Sequence, residues 1–196
     1  MGKDDQAEAN GRRLMRRAFH IAVSLAVLYY WFPPTIRELG ISRETLMVVA
    51  FGALSILEGV RLWRGGLVFP MREYERRQLG GHFWLVLGCV VALLFFEQRF
   101  AMITILGTTL VDPLIGEMRG KVRPPFVLAA GFFAWLAVAI ATITVAGLAT
   151  PLALLPIGAA VAVAAERRKV PRVDDDFLMN VVPLVVLTAL AITLGL

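Results

Sequence analysis

The stretch at residues 125–165, PFVLAAGFFAWLAVAIATITVAGLATPLALLPIGAAVAVAA, contains no charged side chain. As one α-helix its 41 residues would be about 60 Å long, which is roughly twice the hydrocarbon core of a bilayer. The chain must therefore fold back on itself. Residues 147–151 contain the glycine and proline that favour a turn, so we predict two membrane-spanning helices joined there.

The rest of the chain has the same apolar character. Its 196 residues are 58% hydrophobic and 18% charged, against about 25% charged in a soluble domain. Five further apolar stretches approach the length of a membrane span: residues 18–32, 41–60, 79–96, 100–111 and 177–196. We predict an all-α, polytopic membrane helix bundle of about seven transmembrane helices, with a flexible polar segment at residues 1–11 and one domain at 12–196. The single cysteine, Cys89, excludes an intramolecular disulfide.

The distribution of lysine and arginine predicts the orientation of these spans. When the loops are numbered alternately, one set contains 17 of the 20 basic residues and the other contains only Arg37, Arg43 and Arg99. By the positive-inside rule the N-terminus is cytoplasmic and the C-terminus lies outside. Most acidic residues fall on the basic side, so we expect the active face of an integral multi-pass membrane protein to be cytoplasmic. Because the cations follow topology, the net charge of +5 does not indicate a nucleic-acid partner.

A basic stretch leads into the first span. Arg12, Arg13, Arg16 and Arg17 precede His20, and Arg16 and His20 are one helical turn apart on one face. This face could bind a phosphate where the helix enters the membrane. A plain positive-inside anchor and a satisfied buried histidine are the alternatives.

Glu58 and Arg61 close the second span. Their i, i+3 spacing allows an ion pair, which lowers the cost of a carboxylate close to lipid. Without a further partner this would be only a stabilising pair. The following loop contains Arg72 and Arg76 at about helical spacing, which is typical of an interfacial helix that binds a lipid surface.

Asp112 and Pro113 interrupt the fourth apolar stretch. An aspartate before a proline is typical of a helix N-cap followed by a first-turn proline, so we predict that a helix begins here with exposed amides. Asp112 with Glu117 could bind Mg²⁺, which takes one or two carboxylates together with substrate phosphates. Lys121 follows but does not complete a phosphate-binding loop of the Walker type. A capped, broken helix with no catalytic role is the alternative.

Three consecutive carboxylates, Asp174, Asp175 and Asp176, open the last span. Carboxylates at this position interact favourably with the positive end of a helix, which is the structural alternative to a functional role. Cations including Arg168 lie just upstream, so a site for a metal-bound polyphosphate is a second interpretation.

In their order along the chain these motifs resemble the CTP-dependent membrane kinases of lipid alcohols, namely dolichol kinase, phytol kinase and the CTP-using diacylglycerol kinase. These are related to the cytidylyltransferases that form CDP-lipids. The resemblance rests on four short motifs: Arg16-Arg17-Ala18-Phe19-His20, Glu58 to Arg61, Val111-Asp112-Pro113-Leu114-Ile115-Gly116, and Asp174-Asp175-Asp176.

The resemblance implies transfer of the γ-phosphate of CTP to the hydroxyl of a polyprenol or dolichol-type lipid. The nucleotide would arrive from the cytoplasm and the lipid alcohol from the bilayer. We expect Mg²⁺ to bind Asp112, Glu117, Asp175 and Asp176. We expect the nucleotide phosphates to bind a set of cations: Arg16, Arg17, Arg61, Arg72, Arg76, Lys121 and Arg168. The candidate catalytic groups are Asp112 as first choice for the proton acceptor, Glu58 as second, and His20.

Two other functions remain open from the sequence. A cytidylyltransferase would use the same groups but attack the α-phosphate and release pyrophosphate. A non-enzymatic transporter subunit would also contain broken helices and intramembrane charges. The sequence also leaves a homodimer open.

Overall fold

The computed structural model describes residues 3–36, 40–66, 71, 73–168 and 170–196. Most of these residues are helical, as the all-α prediction requires, and the β structure among them is one two-stranded antiparallel sheet and an isolated bridge between Val170 and Val173. The elements are α1 (Lys3–Val23), a first 3₁₀ helix (Ser24–Trp31), β1 (Thr35–Ile36), β2 (Ile41–Ser42), α2 (Arg43–Arg64), a second 3₁₀ helix (Glu73–Arg77), α3 (Gly81–Phe95), α4 (Gln98–Met118), α5 (Pro124–Ala146), α6 (Leu154–Arg167) and α7 (Asp175–Leu194).

Four of these helices, α2, α4, α5 and α7, are long and apolar enough to cross a membrane. The apolar helix α3 is shorter, with 15 residues. The all-α prediction is confirmed, and four of the predicted spans are long and apolar enough to cross a membrane. Helix α1 begins at Lys3, so the backbone is helical over most of the segment that we expected to be flexible.

The uncharged stretch folds back where its sequence predicts. Helix α5 ends at Ala146, and Gly147 follows with φ of 64°. Glycine adopts this left-handed conformation without steric cost, and its N–H donates to the carbonyl of Ile143. Helix α6 then begins at Leu154, so the predicted turn is confirmed.

Asp112 and Pro113 do not interrupt the fourth helix, and this part of the prediction is wrong. Helix α4 continues through Pro113 to Met118, so Asp112 is not an N-cap and no helix begins there. Pro113 removes only the N–H that would bind the carbonyl of Thr109. Val111 and Ile115, on either side of the proline, are each 1% exposed. Their packing in the core holds the helix together across the lost hydrogen bond.

Helix α4 lies in the centre of the bundle and packs against α1, α3, α5 and α7. Trp135 of α5 is fully buried and lies directly against Gly107 of α4 and Gly158 of α6. A Cβ atom at either glycine would overlap the indole ring. The two glycines therefore allow three helices to pack closely around one aromatic side chain.

Candidate functional site

Side chains from three helices meet in one polar cluster. His20 of α1 lies between Asp112 of α4 and Asp176 of α7. Its Nδ1 atom is 3.7 Å from Oδ2 of Asp112, and its Nε2 atom is 3.4 Å from Oδ2 of Asp176. The three donor atoms all lie within 4.8 Å of one another. Residues that the sequence singled out as separate motifs therefore share one site.

This cluster has the composition of a divalent-cation site. His20 and Asp176 are buried, at 6% and 3% exposure, and Nδ1 of His20 has no hydrogen-bond partner. Two carboxylates this close to one another repel unless a positive charge offsets them. Mg²⁺ prefers oxygen ligands and commonly binds one or two carboxylates with substrate phosphates, which Asp112 and Asp176 fit. His20 can add a nitrogen ligand or hold the carboxylates by hydrogen bonding.

The start of α7 adds two further carboxylates to the cluster. Asp174 caps the helix by accepting a hydrogen bond from the N–H of Asp176 at 3.2 Å. Asp174, Asp175 and Asp176 offer oxygens that lie within 4.8 Å of one another. Burial and the charges of Asp176 and Asp175 raise the pKa of Asp174 to about 8. The acidic opening of the last helix therefore adjoins the cluster through Asp176.

A cavity of about 620 Å³ opens beside this cluster between α1, α2 and α3. Its polar lining consists of seven side chains: Arg16, His20, Glu58, Arg61, Glu75, His82 and Asp176. The prediction that Arg16 and His20 share a helix face is confirmed, since both line this cavity. Within the part of the chain that the structure describes, no carboxylate forms an ion pair with Arg16. Its guanidinium is thus the cavity group best suited to an anionic ligand.

Arg61 is fully occupied by the protein itself. Its Nε and Nη2 atoms donate to Glu58 at 2.7 and 2.8 Å, which confirms the predicted ion pair. Its Nη1 atom donates to the carbonyls of Gly66 and Glu75, and Nη2 also donates to the carbonyl of Gln78. These bonds use all five guanidinium N–H groups. Arg61 therefore holds the segment after α2 against the helix and has no donor left for a phosphate.

The N-terminus of α3 binds two carboxylates from other elements. The N–H of Gly80 donates to Oε1 of Glu58, and that of Gly81 donates to Oε1 of Glu75, both at 2.8 Å. The positive end of the helix and Arg61 together offset both buried negative charges. Glu58, our second candidate for the proton acceptor, thus accepts hydrogen bonds at both oxygens.

Glu117 lies outside the cluster that contains Asp112. Its carboxylate forms ion pairs with Arg17 and Lys121 and is 44% exposed. The structure therefore separates this predicted metal ligand from Asp112 and Asp176. Two predicted phosphate ligands, Arg17 and Lys121, are engaged with it.

Neither Arg76 nor Arg168 lines the cavity. Arg76 pairs with Glu73 at 3.0 Å, and both side chains are largely exposed. Arg168 ends α6 and is exposed. Arg72 lies outside the described residues.

Two cavity residues, Glu75 and His82, were not predicted as site residues. Glu75 is 3% exposed, although it belongs to a loop that we interpreted as interfacial. His82 Nε2 lies 3.7 Å from Oε2 of Glu58, and its ring contacts the ring of Phe19. The adjacent glycines were the available signal, because two successive glycines at a helix start expose amides that need acceptors.

Comparisons of this chain with protein-family models, with curated proteins and with solved structures found no match.

Proposed function

We propose that this chain is an integral membrane kinase that transfers the γ-phosphate of a nucleotide, CTP being favoured, to the hydroxyl of a polyprenol-type lipid alcohol. One observation carries the proposal. His20, Asp112 and Asp176 form a buried cation-binding set beside a cavity that contains Arg16. Phosphoryl transfer needs mainly positioning and charge neutralisation, and this arrangement supplies both kinds of group.

The proposed topology has seven spans, with the N-terminus and the site at the cytoplasmic face. The first span combines the end of α1 with the 3₁₀ helix Ser24–Trp31, and α2 to α7 supply the other six. The asymmetry of the basic residues supports this orientation. His20, Asp112 and Asp176 belong to helix ends that face the basic loops, so the nucleotide reaches them from the cytoplasm.

Asp112 and Asp176 are the proposed ligands of Mg²⁺, with Asp175 at the edge of the set. When bound, the cation neutralises phosphate oxygens of the nucleotide. Nε2 of His20 faces Asp176 and is placed to orient that carboxylate, and Nδ1, which faces Asp112, is left for a bound ligand. Arg16 binds the phosphates from the cavity side.

Asp112 is the proposed acceptor for the proton of the attacking lipid hydroxyl. Glu58 suits this role less well because Arg61 and the N–H of Gly80 already bind its oxygens. The lipid oxygen forms a bond to the γ-phosphorus while the bond from that phosphorus to the bridging oxygen breaks. The proton passes to the carboxylate, and the nucleoside diphosphate leaves.

The test uses the purified protein in lipid nanodiscs with Mg²⁺, a polyprenol and CTP or ATP. We expect polyprenyl phosphate and CDP from CTP. Release of pyrophosphate together with a CDP-lipid would identify a cytidylyltransferase instead. If neither nucleotide yields a phosphorylated or cytidylylated lipid, the enzymatic proposal is wrong.

A further inference from the structure

An apolar groove of about 540 Å³ lies between the first 3₁₀ helix, α2 and α3. Leu25 and Leu28 line one side and are 62% and 46% exposed. Four residues of α3 form its floor: Val86, Cys89, Val90 and Leu93. The groove is therefore open along the surface of the bundle and lined by hydrocarbon.

The groove continues into the polar cavity, because Ala22 and Leu54 line both. From Leu54 it follows α2 back to Arg43, a distance of about 16 Å at the rise of an α-helix. This is about half the thickness of a bilayer core.

Arg43 lines the far end of the groove and is held in place by several contacts. Arg43 donates from Nη1 to the carbonyls of Tyr29 and Phe32. Its guanidinium also lies 4.5 Å from the centre of the Tyr29 ring. These contacts tie the N-terminus of α2 to the end of the 3₁₀ helix. The groove thus has the polar cavity at one end and the side chain of Arg43 at the other.

We propose that this groove binds one hydrocarbon chain of the lipid substrate, with the hydroxyl in the cavity beside His20 and Asp176 and the chain directed toward Arg43. The inference rests on the proposed function for the identity of the head group. The groove is continuous with the polar cavity, so a lipid whose hydrocarbon chain lies in the groove has its hydroxyl end in the cavity. This continuity favours a lipid alcohol as the occupant. The largely apolar lining fits a hydrocarbon chain and offers few partners to a polar peptide.

Ala50 lines the groove about one helical turn from Leu54, so a tryptophan at 50 shortens the space available to the chain. Val49 is the matched control, because it lies on the same helix, is 61% exposed and is not among the groove residues.

The experiment uses the full chain in nanodiscs, without nucleotide, and a long-chain primary alcohol with a diazirine at its terminal carbon. After photolysis we expect cross-links in residues 22–32, 43–54 and 86–93. Ala50→Trp should reduce them by about tenfold or more, whereas Val49→Trp should leave them unchanged. A short-chain diazirine alcohol should label both variants equally.

Cross-links spread evenly over the outer faces of α5 and α7 would overturn the inference, as would equal labelling of the two tryptophan variants by the long probe. The result is independent of catalysis. Groove labelling without any phosphorylated product would refute the proposed kinase and leave the groove intact. Product formation with no groove labelling would refute only the groove.

Discussion

Nε2 of His20 lies 3.4 Å from Oδ2 of Asp176, which joins α1 to α7 at one polar cluster. Asp112 of the central helix α4 completes the set. A histidine with two carboxylates at this spacing is costly to bury unless a cation is bound or a proton is shared. The cluster is therefore the place where charge changes should affect both stability and activity.

Removal of either central carboxylate should abolish phosphoryl transfer. If the proposed function is correct, Asp112→Asn and Asp176→Asn should lower kcat by at least about 100-fold, because each variant loses a proposed cation ligand and Asp112→Asn also loses the proposed proton acceptor. Glu117→Gln is the matched control and should stay within about threefold of wild type, since its partners are Arg17 and Lys121. Near wild-type turnover of Asp112→Asn would contradict the assignment.

The stability of the cation-free protein should fall as pH rises. The pKa of Asp174 is raised to about 8 by burial and by the charges of Asp176 and Asp175, so the folded state binds a proton more tightly than the unfolded state. Its favourable contribution is complete below about pH 4 and is lost as pH rises to 8. In EDTA, Asp174→Asn should therefore raise Tm over wild type by an amount that grows from pH 5 to pH 8.5. A constant difference would contradict this prediction.

Arg61 should be a structural residue. Arg61→Lys loses the bidentate bond to Glu58 and the bonds to three carbonyls, so the free energy of unfolding should fall by about 3–5 kcal/mol. Arg76→Lys is the control, because its pair with Glu73 is exposed and should change stability by less than about 1 kcal/mol. Thermal unfolding in detergent measures both. Equal Tm values for the two variants would argue against a structural role of the Arg61 hydrogen bonds.

Two glycines of α4 should respond in opposite directions to alanine. At Gly107 the new methyl group would overlap the Trp135 indole, which should destabilise the protein by about 1–3 kcal/mol. At Gly116 no atom lies within 4 Å, so alanine should stabilise the helix by about 0.5–1 kcal/mol. Thermal unfolding of the two variants provides the measurement, and a stabilised Gly107→Ala would disprove the packing.

The proposed orientation can be tested with single cysteines. Cys89→Ala removes the only native cysteine. In that background Val122→Cys, between α4 and α5, should react with a membrane-impermeant maleimide only after permeabilisation. Leu152→Cys, between α5 and α6, is 64% exposed in wild type and should react in intact cells. If Val122→Cys reacts in intact cells and Leu152→Cys only after permeabilisation, the true orientation is opposite to the proposed one.

Much of the fold follows from local features of the sequence. The uncharged stretch at 125–165 is too long for one span, and Gly147 supplies the turn. Glu58 and Arg61 pair at their i, i+3 spacing. Asp174 caps α7, as three carboxylates before an apolar run suggest.

Other features depend on tertiary packing and could not be predicted locally. The Asp112-Pro113 pair predicts a helix start, but the burial of Val111 and Ile115 keeps α4 continuous. Glu75 reads as a surface carboxylate, yet it binds the N–H of Gly81. Glu117 is close to Asp112 in sequence, but its ion partners lie elsewhere. In each case the outcome depends on the burial and packing of these residues in the folded bundle, which the sequence pattern does not give.

The distance in sequence between His20 and Asp176 also bears on biosynthesis. The segment that contains α7 is synthesised after the helices that carry His20 and Asp112, so the cluster cannot assemble until residue 176 has left the ribosome. Early helices must wait in the membrane with His20 lacking its later partner. Premature termination anywhere before residue 176 therefore yields a product without the cluster, whatever helices have already been inserted.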